Sequence, residues 1–269
     1  MTYRTILVDL TADGPPEARL RVARSLAARF GAALVGMHVT PPVGLAPFEG
    51  GWSAYLPPEV IEAQRAAGRE VRDRARAAFD RACDGDPRAV WREAEGYPAW
   101  ALVRAAHAAD LVVAVRDDLI EVVEQIVTAT GVPVLMLPPD APAAVGRVVL
   151  VAWNASREAT RAAHDALPFL HAAERVVLCA IGDPATADPG LEDAAAMLDR
   201  HGVAVQVEQV PGPDSGAGAG EALLARAAEH GADLLVMGAY GHSRLHEFVL
   251  GGTTRRVLRE ATLPVLLSN

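Results

Sequence analysis

Short apolar runs rich in Val, Ile and Leu alternate along the chain with segments in which Ala, Arg and Glu recur at helical spacing. In the second half, this alternation predicts strands at 147–153, 175–181, 204–210, 233–238 and 263–267. It predicts helices between them at 156–171, 191–201, 220–230 and 253–260. Continuous apolar strands separated by helices are typical of a parallel sheet covered on both faces. The pattern therefore predicts a doubly wound α/β fold.

Three short apolar phrases occur twice, in the same order in both halves: 6–8, 109–113 and 133–135 return as 149–151, 232–236 and 264–266. Self-similarity of this kind indicates two homologous units. The Pro-rich stretch 137–142 is typical of a linker and separates them. We therefore predict two repeated Rossmann-like domains, each with a five-stranded and mainly parallel sheet, at 1–143 and 144–269.

All 25 basic residues are arginine, and 34 acidic residues give the chain a net charge of −9. Without lysine, neither a Walker-type phosphate loop nor a Schiff-base mechanism is available. Any phosphate must then be bound by backbone N–H groups, helix N-termini or arginine. The acidic balance argues against a nucleic-acid partner, because no basic surface neutralises a phosphate backbone.

The two cysteines, Cys83 and Cys179, are far apart and lack metal-ligand spacing, which is typical of a reducing compartment. The sequence contains no apolar signal segment and no uninterrupted apolar run of about 18 residues, the length that a membrane span needs. We therefore expect a cytoplasmic protein with no membrane partner.

A glycine-rich segment follows the fourth strand of the second half and contains Gly238, Gly241, Gly251, Gly252, Thr253 and Thr254. In doubly wound sheets, ligands bind beyond the carboxyl ends of the strands, where the strand order reverses. Free N–H groups and hydroxyls in the first turn of the following helix would suit a phosphate. The alternative is a glycine turn with a threonine helix cap.

The spacing Gly238-x2-Gly241-x9-Gly251 resembles the ATP-binding signature of the universal stress protein family, and the whole chain resembles the tandem form of that family. This resemblance implies that the Rossmann-like domains are of the adenine-nucleotide-binding type. It also implies a regulatory or sensor protein of the stress response that binds ATP in its second domain, with or without Mg, or else AMP or ADP. The nucleotide-binding residues that it implies are Trp153, Asn154, Ala180, Ile181, Met237, Gly238, Gly241, His242, Gly251, Gly252, Thr253 and Thr254.

The resemblance also has implications for assembly. The strands at 132–137 and 263–267 resemble the edges through which family members pair. We therefore expect the two halves to meet as an internal pseudo-dimer, which would cover two exposed strand edges. A further homodimer of chains stays open.

The sequence departs from the family pattern at two positions. Gly252 stands where the family usually has Ser or Thr, and Asn154 stands where nucleotide-binding members commonly have Asp. Asparagine forms hydrogen bonds but brings no charge for a metal. One alternative function is therefore an interaction scaffold that has lost its nucleotide. A third, a slow ATP hydrolase, lacks an evident general base, and we identify no catalytic residue and no metal ligand set.

Some candidate residues have ordinary structural alternatives. Trp153 suits core packing as well as a base pocket. His242 and His246 are spaced like a metal pair, but no third ligand accompanies them. The aromatic segment at 41–58 suits a lid, a partner surface or a long loop.

The first half lacks the glycine segment. From Asp110 to Pro133 the chain advances 23 positions, whereas from Asp233 to Pro264 it advances 31. The sequence at 115–121 is Val-Arg-Asp-Asp-Leu-Ile-Glu, whose acidic side chains would repel phosphates. Thr11 stands where the family has its aspartate.

We predict that the first half binds no nucleotide and has a structural role. Calorimetric titration of the chain with ATP should therefore give one site per chain. Two sites per chain would contradict this prediction.

Overall fold

The computed structural model describes residues 2–12, 14–43, 45–47, 53–116, 120–142, 144–183, 190–213, 216–240 and 252–269. In the first half the elements are β1 (Thr5–Asp9), α1 (Glu17–Phe30), β2 (Ala33–Thr40), β3 (Leu45–Pro47), β4 (Ser53–Tyr55), α2 (Pro58–Ala82), β5 (Ala89–Glu95), α3 (Pro98–Ala106), β6 (Leu111–Val115), α4 (Ile120–Thr130) and β7 (Val134–Leu137).

In the second half they are β8 (Val148–Trp153), α5 (Arg157–Asp165), α6 (Leu167–Leu170), β9 (Arg175–Ile181), α7 (Gly190–Arg200), β10 (Gln206–Val210), α8 (Gly216–Glu229), β11 (Leu234–Gly238), α9 (Gly252–Glu260) and β12 (Val265–Ser268). The predicted strands and helices of this half agree with the observed ones to within a few residues, with one exception.

The exception is the predicted helix at 156–171, which is two helices, α5 and α6. Ser156 caps the first, and its Oγ accepts a hydrogen bond from Ala159 N at 3.1 Å. Pro168 lies in the first turn of the second. Because proline lacks an N–H and clashes with the carbonyl of the preceding turn, one straight helix cannot run through this position.

Ten strands form one sheet in the order β10-β9-β8-β11-β12-β7-β6-β1-β2-β5. Each half contributes five strands to this sheet. When these five are numbered in chain order and read from the outer edge towards the junction, both halves have the order third-second-first-fourth-fifth. Strands β3 and β4 form a separate antiparallel pair. Within the ten-stranded sheet, every strand pair inside one half is parallel, and helices pack on both faces. The predicted fold class is therefore confirmed.

The halves join where β7 pairs antiparallel with β12. The register places Leu135 opposite Leu266, and both side chains are fully buried. Each of these strands would otherwise leave a row of unpaired backbone groups at the edge of a five-stranded sheet. The pairing thus covers both edges.

An aromatic cluster supports this junction on one face of the sheet. Tyr3 and Phe30 of the first half contact Phe169 of the second, with ring centroids 5.8 and 5.4 Å from it. The Arg29 guanidinium lies over Phe169 and donates a hydrogen bond to Val145 O at 2.8 Å. Apolar and cationic contacts therefore both cross between the halves.

The repeated phrase Ala-Asp-Leu has a structural explanation at the amino ends of the strands. Asp110 N donates to Thr5 O, and the Asp110 carboxylate accepts from Thr5 N, both within 2.9 Å. Asp233 and Val148 form the same reciprocal pair, both bonds being 2.9 Å long. The two aspartates therefore fix the start of the first strand in each half, at the edge opposite the predicted ligand site.

Among the described residues, no helix combines the length and the apolar character that crossing a membrane requires.

We expect Asp233→Ala to destabilise the fold by about 1–3 kcal/mol, because backbone N–H groups of Gly146, Arg147 and Val148 would lose their acceptor. Asp233→Asn keeps one acceptor oxygen and should cost less. Urea denaturation followed by circular dichroism measures the difference. Asp199→Ala, at an exposed position of α7, is the control and should change stability by less than about 0.5 kcal/mol. Equal loss of stability in Asp233→Ala and Asp199→Ala would contradict the structural role of Asp233.

Candidate functional site

The strand order of the second half reverses between β8 and β11, which are hydrogen-bonded neighbours. Their carboxyl ends are therefore the topological switch point, where doubly wound sheets bind ligands. Strand β8 ends there at Trp153, and strand β11 ends there at Gly238. The switch point is the candidate site.

Gly238 is required for a close approach of backbone to backbone. A Cβ at this position would lie 2.6 Å from both Ala159 N and the Glu158 carbonyl carbon. The first turn of α5 therefore packs directly on the end of β11. The sequence predicts a glycine here for a turn, whereas the structure adds a packing requirement.

Asn154 is exposed immediately after β8. Its Oδ1 accepts a hydrogen bond from Ser156 N at 3.3 Å, and Ala155 between them has a φ of 55°. This tight connection brings the start of α5 against the strand end. The side chain is at the place that the sequence predicts, and the Nδ2 group supplies two further donors.

Several predicted site residues have side chains in the core. Trp153, only 8% exposed, packs with Ala180 in the layer that includes α5 and α7. Met237 packs in the opposite layer with Val257 and Leu258 of α9. The core alternative for Trp153 is what the structure shows, and no described residue accepts a hydrogen bond from its Nε1. Any ligand contact of these residues must therefore involve small exposed parts or backbone atoms.

The first turn of α9 is accessible only in part. Gly252 is exposed, Thr253 is half-buried, and Thr254 is buried. Helix α8 lies against this turn, because a Cβ at Gly220 would be 3.0 Å from Thr253 O. Arg256 is engaged in ion pairs with Glu260 at 2.6 Å and Glu221 at 3.7 Å.

Three predicted ligand residues, Gly241, His242 and Gly251, lie outside the described residues, as do His246 and residues 44 and 48–52 of the aromatic segment at 41–58. Their roles stay predictions. Of the others, β8, β9 and β11 bring Asn154, Ile181 and Gly238 to the same edge of the sheet.

Tyr240 is a residue that the sequence analysis missed. It has a left-handed backbone with φ of 63°, and its side chain reaches α4 of the first half. Burial and the neighbouring Glu124 carboxylate raise the pKa of the Tyr240 phenol well above its usual value. No pattern within one half signals this contact, because it joins residues 116 positions apart.

The corresponding edge of the first half is built differently. The register aligns Thr11 with Asn154 and Val115 with Gly238. A buried Arg19 donates hydrogen bonds to the carbonyl oxygens of Asp9 at 3.2 Å and Ala12 at 3.1 Å. Its guanidinium therefore ties down the β1–α1 connection. A small cleft remains, and it is lined by Asp9, Thr11, Ala12, Ala114, Val115, Val122 and Val123.

In the part of the chain that the structure describes, no cluster of three or more His, Cys, Asp or Glu side chains is arranged to hold a metal ion.

Comparison with known proteins identifies the family. The model of the universal stress protein family matches residues 146–269. The second half of the chain belongs to the universal stress protein family. Residues 6–8 and 109–113 repeat the core strands of this universal stress protein domain, and the first half has the same strand order.

Individual relatives agree with this assignment. A universal stress protein of Synechocystis sp. is 40% identical over 76 residues, which are 28% of this chain and 25% of the relative. The match thus spans about a quarter of that curated relative. A universal stress protein of Archaeoglobus fulgidus has a similar structure with a TM-score of 0.74 at 17% identity, covering 98% of both chains. A putative universal stress protein of Pseudomonas aeruginosa gives 0.60 at 16% identity, covering 99% of this chain and 93% of that one. These two structures show the fold over both halves.

We expect Gly238→Ala to destabilise the chain by about 1–3 kcal/mol, because the new methyl group would overlap the backbone of α5. Thermal unfolding measures the loss. Gly68→Ala is the matched control, since nothing lies within 4 Å of the added Cβ and the site is within helix α2. That control should be neutral or stabilising. Unchanged stability of Gly238→Ala would contradict the prediction, because it would show that α5 can move away from the added methyl group.

Proposed function

We propose that the protein is a regulatory universal stress protein that binds an adenine nucleotide at the switch point of its second half. The observation that carries this proposal is the reversal of strand order between β8 and β11, with the glycine spacing of the family directly after β11. This is the position at which a doubly wound sheet opens a crevice.

Three groups at this edge suit parts of a nucleotide. The exposed Asn154 amide suits the ribose hydroxyls, because it both donates and accepts hydrogen bonds. The end of β9 at Ile181 suits the base, since it offers a half-buried apolar surface beside the strand end. The first turn of α9, from Gly252 to Thr254, suits the phosphates, because the backbone N–H groups and the positive end of the helix dipole lie at the amino end of a helix.

None of these groups carries a formal charge, which determines how a nucleotide would be bound. The phosphates would be held by backbone dipoles rather than by lysine, since the chain has none. Asn154 contributes no negative charge for Mg²⁺, so the metal would be held mainly by the phosphates. We therefore propose that AMP, ADP and ATP all bind, and that Mg²⁺ adds little affinity.

We also propose that the pairing of β7 with β12 is the internal pseudo-dimer of a tandem protein with domains at 1–143 and 144–269. Such a chain would satisfy within itself the contact that two single-domain chains would make. A cytoplasmic location fits the two free, buried cysteines.

A second candidate function is that of an interaction scaffold. It is favoured by a pair of exposed aromatic residues in the first half, Tyr97 and Trp100, which are 63% and 74% exposed. Their ring centroids are 5.5 Å apart at the start of α3. Exposed Tyr and Trp side chains are enriched where proteins meet partners.

Calorimetric titration with ATP, ADP and AMP tests the nucleotide proposal. We expect micromolar binding by the natural chain and none by Gly241→Val, because the added side chain would block close approach of the loop backbone to the phosphates. Gly68→Val, on the exposed part of α2, is the matched control and should bind like the natural chain.

The outcomes separate the candidates. No binding of any adenine nucleotide by the natural chain would refute the nucleotide proposal and favour the scaffold. Unchanged binding by Gly241→Val would remove the glycine segment from the site. Phosphate release from ATP clearly above a protein-free blank would favour the hydrolase.

A further inference from the structure

We propose that the first half of the chain positions the phosphate-binding helix of the second half, and that Arg116 is the positioning residue. This inference rests on the proposed nucleotide site. It gives the first half a defined task in ligand binding, although that half would hold no nucleotide itself.

Arg116 reaches from the first half to the end of α9. Its Nη1 donates hydrogen bonds to Arg259 O at 2.9 Å and to Ala261 O at 2.7 Å. Arg259 is in the last turn of α9 and Ala261 follows the helix directly, and carbonyl groups at this end of a helix lack partners within it. A cation here also suits the negative end of the helix dipole. Arg116 therefore caps α9 from another domain.

The backbone of Arg116 is itself held in place. Arg116 N donates to Leu137 O at 2.8 Å, which ties the residue to the end of β7. Strand β7 in turn pairs with β12, the strand that follows α9. The position of the α9 carboxyl end is thus set relative to the strand junction of the two halves.

The antiparallel junction explains why an arginine after β6 can do this. In a parallel αβ unit, α9 begins near the carboxyl end of β11 and finishes near the amino end of β12. Because β7 runs opposite to β12, the carboxyl edge of the first half lies beside the amino edge of the second. The edge that would bind ligand in the first half therefore contacts the far end of α9.

A second contact acts at the start of the glycine segment. Tyr240 lies in the first part of that segment, and its side chain lies beside Glu124 of α4. Helix α9 begins at Gly252, in the last part of the segment. The first half therefore contacts the first part of the segment as well as the carboxyl end of α9.

A helix of nine residues is about 13 Å long and transmits a displacement of one end to the other. Loss of the Arg116 cap would let the last turn fray and the whole of α9 shift against α8. The N–H groups of Gly252, Thr253 and Thr254 would then be less well aligned for phosphate. Nucleotide binding would then be weaker, because part of the binding free energy would be used to align these N–H groups again.

The test is calorimetric titration of the full chain with ATP, comparing the natural protein with Arg116→Met, Arg116→Lys and Arg29→Met. We expect Arg116→Met to weaken binding by about three- to tenfold, and Arg116→Lys to recover part of the loss because it keeps the charge and a donor. Arg29→Met is the matched control. It removes another arginine that crosses between the halves, on the aromatic cluster and away from α9.

Hydrogen exchange of the nucleotide-free chains provides the second readout. Amides of α9 should exchange faster in Arg116→Met, and should be unchanged in Arg29→Met. A natural chain that binds ATP together with an Arg116→Met variant that binds equally well would overturn this inference and leave the proposed function intact. Equal weakening by both Met variants would also overturn it, because the effect would then come from a loosened junction. Absence of ATP binding by the natural chain would overturn the proposed function, and this inference with it.

Discussion

The pairing of β7 with β12 is the contact on which the rest of the structure depends. Two five-stranded sheets each present a closing strand, and main-chain hydrogen bonds between these strands make one sheet of ten. Their side chains, among them Leu135 and Leu266, are fully buried between helices of both halves. Separating the halves would therefore expose backbone donors and apolar surface together, which is costly in water.

This junction has a geometric consequence for function. Because it is antiparallel, the ligand edges of the two halves face in opposite directions, and each half reaches the helix ends of the other. Arg116 and Glu124 of the first half contact the second, whereas Arg29 and the aromatic cluster join them on the other face. The first half thus contributes contacts to the helix that follows the glycine-rich segment of the second half.

Comparison of equivalent positions in the two halves shows which residues the fold requires in both and which differ between them. Asp110 and Asp233 make the same reciprocal hydrogen bonds at the amino edge, so the fold requires the residue in both halves. At the carboxyl edge the halves diverge. Gly238 admits α5 against the strand in the second half, whereas Val115 occupies this position and Arg19 ties down the loop in the first. Divergence at one edge alone is expected when only one half carries a ligand site.

The sequence by itself determined the α/β class, the repeat, the strand positions and the location of the glycine segment, because each depends on local periodicity or on spacing along the chain. It also predicted that Asn154 and Gly238 share one edge of the sheet, since strand order follows from the fold class. Tertiary structure alone decided that Trp153 and Met237 point into opposite core layers and that Arg116 caps α9. These features depend on which side chains meet across distances of up to about 145 positions in the chain, and such contacts leave no periodic signal in a single sequence.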